Sequence, residues 1–150
     1  MQLTRAADYA VRVMIHLATL PPDTRTNRAS LAETGEVPVH FLSKILQALT
    51  RARLIHSHRG VTGGFSIQCD PEKTTLLQVV EAIEGPLHLN VCVTPGQACV
   101  RQTWCPAHRL WAEAQQAMIG VLRSATIAEL GRQSAVSSAS SRCALAEGEA

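Results

Sequence analysis

The chain has 150 residues, 46% apolar and 17% charged, enough hydrophobic material for one compact domain with an appended element and too little charge for a disordered polymer. Aromatic residues make up only 3%, which argues against a β-sandwich, an aromatic-lined sugar site or a base-stacking platform and favours aliphatic helix packing. The net charge of +2 is uneven: residues 1–68 carry eight Lys/Arg against four acids, and residues 69–150 carry six against eight, so any polyanion partner suits the N-terminal end alone.

The opening segment predicts a helix over 4–20, with Thr4 as its cap and Ala7, Ala10, Val11, Met14, Leu17 and Ala18 at three- and four-residue spacing. Arg5, Asp8, Arg12 and His16 interrupt that segment and no small-residue cleavage site follows. It therefore does not read as a signal peptide, and no apolar run reaches the ~18 residues of a membrane span. A cytoplasmic protein with no membrane contact is the expectation. Ser30-Leu31-Ala32-Glu33 has capping-box spacing and predicts a short second helix, cut off by Gly35. Pro38 suits the first turn of a third helix running to about Arg53, with Phe41/Leu42, Ile45/Leu46 and Leu49 as its apolar stripe.

A short helix, a Gly-containing turn and a longer helix make a helix-turn-helix candidate. Residues 56–67, His-Ser-His-Arg-Gly-Val-Thr-Gly-Gly-Phe-Ser-Ile, then read as two strands around a glycine-rich turn with Arg59 at the tip: a hairpin wing whose glycines serve positive φ. Residues 75–84 predict an amphipathic helix stopped by Gly85-Pro86. Residues 86–107 show no period, and Pro106 to about Ser124 is the longest helical pattern, with a wide apolar face of Leu110, Trp111, Ala114, Ala117, Met118, Val121 and Leu122 that asks for a partner, in its own domain or on a second chain. Thr126-Ile127-Ala128-Glu129 has capping-box spacing for a last short helix, and residues 133–150 read as a flexible tail.

Three of the five cysteines fall within fourteen residues, as Cys92-x6-Cys99-x5-Cys105. In a reducing compartment such a group is a metal or redox site more often than a disulfide framework. Thiolates suit iron–sulfur clusters, zinc or copper(I), and these gaps are wider than the two to four residues usual in zinc fingers and ribbons. Three thiolates leave one position for another ligand: His108, one turn beyond Cys105, or Asp8 if the fold brings it near. Cys69 and Cys143 stand alone and read as ordinary thiols. A nucleophile–base pair of Cys105 with His108, in a zinc-stabilised or thiol-dependent enzyme, is a rival from another class, although no oxyanion or third orienting group accompanies it. A regulator that senses by metal-free thiol oxidation is a second alternative.

Several motifs occur together in order: Leu3-Thr4-x3-Asp8-Tyr9-Ala10-Val11-Arg12, Arg59-Gly60-x2-Gly63-Gly64-Phe65, the stretch Thr75 to Gly85, the three-cysteine loop, and Cys105-x2-His108 opening a long helix. With them the chain resembles the winged-helix iron–sulfur regulators of the IscR/NsrR type from Met1 to about Leu130. The resemblance implies a mainly α fold with a small hairpin wing. It divides the chain into a DNA-binding region (1–68), a cluster-binding loop with a dimerisation helix (69–131) and a tail (132–150).

It also implies no enzyme but a homodimeric repressor of transcription on a double-stranded DNA operator, sensing iron–sulfur status, nitric oxide or redox stress. Cys92, Cys99 and Cys105 would be ligands of a 2Fe-2S cluster with His108, or of a 4Fe-4S cluster in which Asp8 serves as the fourth ligand. His40, Phe41 and Ser43 would meet the major groove, Arg59 the minor groove, and Lys44, Arg51 and Arg53 the phosphates.

Overall fold

The computed structural model describes residues 2–60, 63–97 and 99–135. Five α-helices, a hairpin and one 3-10 turn follow in chain order: α1 (Arg5–Thr19), α2 (Arg28–Thr34), α3 (Val39–Arg51), β1 (Ile55–His58), β2 (Gly64–Ile67), α4 (Leu76–Glu84), the 3-10 turn Val91–Val93 and α5 (Pro106–Ser124). A last helical stretch covers 127–135. This is the mainly helical, winged architecture expected. No helix among the described residues is long and apolar enough to cross a membrane.

The Thr4 hydroxyl caps α1 by accepting from the Ala7 amide, and Ala7, Ala10, Val13, Met14 and Leu17 are buried along one stripe. The α2 start differs from its expectation. Asn27, not Ser30, is the cap, its Oδ1 accepting from the Ser30 amide at 2.9 Å. Thr26 exchanges two backbone hydrogen bonds with Phe65 of β2, both 2.9 Å, so the chain is already held as a short third strand where the helix must begin. The Ser30–Glu33 spacing lies within the helix, where three-residue neighbours are ordinary. Pro38 occupies the cap position of α3 and not its first turn, and the helix ends at Arg51, with Arg53 in the left-handed region at φ 57°.

In the wing, Ile55 pairs with Ile67 and His58 with Gly64. Gly60 has the positive φ expected of a turn, but Gly63 and Gly64 serve another purpose. A Cβ on Gly63 would lie 2.5 Å from the His58 carbonyl oxygen, and one on Gly64 would lie 2.8 Å from that of Thr26. The backbone of the hairpin end closes on Gly63 and that of the Thr26 segment on Gly64, leaving no room for a side chain at either.

The core joins Met14, Leu31, Leu42, Ile45, Leu49 and Ile55 to Val79 of α4 and Ile127. A Thr75–Gln78 capping box starts α4, and the expected Thr126–Glu129 box starts the last stretch. Backbone bonds from Leu76 to Ala125 and from Ile127 to Thr74 tie the two starts together. A smaller cluster (Ala7, Leu77, Val80 and Leu87) receives Met118, Ile119 and Leu122 of α5. Residues 132–135, read from the sequence as the beginning of a tail, continue the last helical stretch, and Arg132 there forks onto Glu72 at 2.6 and 3.4 Å. The rest of the expected tail, 136–150 with Cys143, lies outside the described residues.

Candidate functional site

Two places carry the chemistry. The first is the face made by α2, α3 and the hairpin. A groove of about 490 Å³ runs between them, lined by Arg28, Ser43, Gln47, Arg51, Ser57 and Phe65, among others. The buried stripe of α3 (Leu42, Ile45, Leu46, Leu49) turns inward, leaving His40, Lys44, Gln47 and Arg51 exposed. Arg59 stands exposed at the hairpin tip.

The Phe41 ring packs 5.8 Å from that of Tyr9 and 4.4 Å from that of His40 and stays partly exposed at the start of α3. It holds the start of α3 against α1. Arg28 and Ser57 are not legible in the sequence, since only the fold brings the first residue of α2 and a β1 residue to the groove wall of α3, whereas Gln47 stands on the outward face of α3 that its apolar stripe already defines. On β1, His56 and His58 stack edge-on at 4.5 Å, and His58 Nε2 lies 2.8 Å from the Ser66 hydroxyl. Partial burial, then the Arg25 guanidinium and His56, push the His58 imidazole below its ordinary range, which favours its neutral form.

The second place is the thiol loop. Cys92 sits in the 3-10 turn, and Cys105 stands at the N-cap position of α5 without a side-chain capping bond, with Pro106 directly after it. Cys92, Cys99 and Cys105 are free and half-buried. A cavity of about 570 Å³ lies under the loop, with Cys92, Thr94, Gln102, His108 and Gln115 in its wall. Gln115 holds the loop to α5, its Oε1 accepting from the Leu89 amide at 3.1 Å. The His108 amide bonds to the Cys105 carbonyl at 3.1 Å, while its Nδ1 is buried without a hydrogen-bond partner. Such an atom is costly unless something binds it.

The fold thus brings Cys92 and His108 to one cavity, and Cys99 and Cys105 are not in its wall. Among the described residues no three His, Cys, Asp or Glu side chains are gathered closely enough to hold a metal ion. Asp8 lies on α1, exposed and paired with Arg12 at 2.9 Å; Arg12 also reaches Glu36 at 3.4 Å. Cys69 packs against the main core, where partial burial pushes its thiol above the ordinary range and disfavours the thiolate. As a donor set, three thiols and an imidazole with an unpartnered nitrogen suit an iron–sulfur cluster.

The sequence model of the Rrf2 family, described as "Iron-dependent Transcriptional regulator", matches residues 3–133. The chain belongs to the Rrf2 family. It is 33% identical over 131 residues to the HTH-type transcriptional regulator NsrR of Geobacillus kaustophilus, which covers 87% of this chain and 89% of that protein. Its fold superposes on CymR, the global cysteine regulator of Bacillus subtilis, with a TM-score of 0.71 and 26% identity, covering 89% of this chain and 98% of the other. T. potens IscR shares the fold, with a TM-score of 0.68, 21% identity and 89% and 88% coverage. The Rrf2 model is described as one of transcriptional regulators, and the NsrR relative as a regulator of the helix-turn-helix type, a description that implies DNA binding.

Proposed function

We propose that this Rrf2-family chain is a homodimeric transcriptional repressor that reports iron–sulfur status, nitric oxide or redox stress through a cluster bound in the 92–105 loop. Cys92, Cys99 and Cys105 would hold it, with His108 as fourth ligand of a 2Fe-2S centre or Asp8 as fourth ligand of a 4Fe-4S centre. When bound, such a centre supplies a group that oxidants and nitric oxide attack.

One observation carries the reading: the buried, unpartnered Nδ1 of His108, one turn beyond Cys105 and in the same cavity wall as Cys92. Because Cys105 stands at the N-cap position of α5, any force that orders the loop acts on the first turn of that helix. Exposed Leu110, Trp111 and Val121 along α5 support the homodimer, since an apolar stripe left in water favours a second copy. On the other face, His40, Phe41 and Ser43 would meet the major groove, with the Phe41 ring steadied by Tyr9, Arg59 would enter the minor groove, and Lys44 and Arg51 would neutralise phosphates.

Anaerobic purification tests the sensor. Brown protein with iron and acid-labile sulfide is expected, and Cys92→Ala, Cys99→Ala or Cys105→Ala should bleach it while Cys69→Ala leaves it coloured; an unchanged spectrum in the loop variants removes the ligand assignment. Arg59→Ala should weaken operator binding by about 1–3 kcal/mol, and full affinity would remove the wing reading.

A second reading, a metal-free thiol-redox regulator, is favoured by the three half-buried free thiols that are not gathered for a metal. Colourless, iron-free protein whose DNA affinity changes on thiol oxidation would select it.

A further inference from the structure

Val39 is the first residue of α3 and is 63% exposed, although it is a branched aliphatic side chain. Phe41, the neighbouring apolar residue, is only 36% exposed because its ring is engaged with Tyr9 and His40. Val39 lies four residues before Ser43 and eight before Gln47, so the three share one helix face, and Ser43 and Gln47 line the basic groove with Arg28 and Arg51. No acid occurs in α3, and Lys44 on the same helix and Arg59 at the hairpin tip are further exposed cations. A polyanion is therefore the occupant that matches this surface, and in a duplex major groove the C5-methyl of thymine is the apolar group offered to a side chain.

We infer that Val39 is a specificity-determining residue that packs against a thymine methyl at the start of the major-groove contact. The inference rests on the DNA-binding reading of α3 and adds to it the base class read at one position. His40 follows Val39 directly and Ser43 lies one turn further along the same face, so one apolar contact at the helix start sits beside two hydrogen-bonding side chains.

Anaerobically purified full-length protein is used to enrich binding duplexes from a random pool, and each thymine of the winning duplex is replaced by deoxyuridine, which removes only the methyl. One thymine per half-site should emerge at which replacement weakens wild-type binding about fourfold, the value of one buried methyl group. Val39→Ala should lose that discrimination and bind both duplexes alike, with an unchanged thermal melt. Val39→Thr should keep the shape and lose part of the preference.

A merely structural Val39 would lower affinity for both duplexes equally, so the coupling between variant and methyl is the decisive reading. Absence of any methyl-sensitive thymine, or full sensitivity in Val39→Ala, overturns the inference while leaving DNA binding intact. Failure to enrich any duplex overturns the DNA-binding reading itself and this inference with it.

Discussion

Along α1 and α3 the apolar stripes are closed off from water: Met14, Leu42, Ile45 and Leu49 are all at 2% exposure or below. The nineteen residues of α5 bury a single side chain, Gln115, and leave Leu110 at 64% and Val121 at 70%. The winged-helix unit is thus complete on its own chain, since α4 and Ile127 finish its core. The thiol loop and α5 are not, because one side of the helix rests on Leu77 and Val80 while the other faces solvent. A reader of DNA must present fixed side chains, and the proposed sensor would have to respond, which matches a closed core at one end and an incomplete one at the other.

The sharpest way to break this contrast is a cavity in the closed core. Leu49→Ala should cost about 2–5 kcal/mol in urea unfolding, and a cost below 1 kcal/mol would mean the winged unit is less tightly closed than its burial indicates. Next is the wing. Gly64→Ala forces a Cβ against the Thr26 carbonyl and should destabilise by about 1–3 kcal/mol, read by the same melt and by weaker DNA binding. Thr75→Ala removes the capping box of α4 and should cost about 1 kcal/mol.

On the incomplete side, Leu110→Ser with Val121→Ser should change intrinsic stability by less than about 0.5 kcal/mol yet shift sedimentation toward monomer; a large loss of folding stability instead would place these side chains in a core. The smallest effect concerns pH. Partial burial holds the His16 imidazole below its ordinary range. The unfolded chain therefore binds the proton more readily, and this contribution to stability is present above about pH 6.5 and shrinks as pH falls below it. His16→Asn should flatten that part of the urea midpoint profile between pH 7.5 and 5.5.

Much of the winged unit was legible before any coordinates. Thr4 as a cap, the stripe Leu42–Ile45–Leu49, the hairpin after α3 and the limits of α5 all follow from local rules: capping chemistry, three-to-four periodicity and glycine at turns. The misread points share a cause. Asn27 displaced Ser30 as cap because Thr26 is anchored to Phe65, a partner thirty-nine residues away. Gly63 and Gly64 answer to close backbone approach and not to φ. Arg28 and Ser57 reach the groove only once α2 and β1 flank α3.

By itself the sequence determined the donor chemistry, the charge asymmetry and the family, because these depend on residue type, order and spacing alone. Tertiary structure decided which side chains share a surface: Cys92 with His108 around one cavity, Phe41 turned to Tyr9, Val39 left in the open. Such juxtapositions are set by the packing angles of elements distant in the chain, and no local pattern of amino acids encodes an angle between two helices.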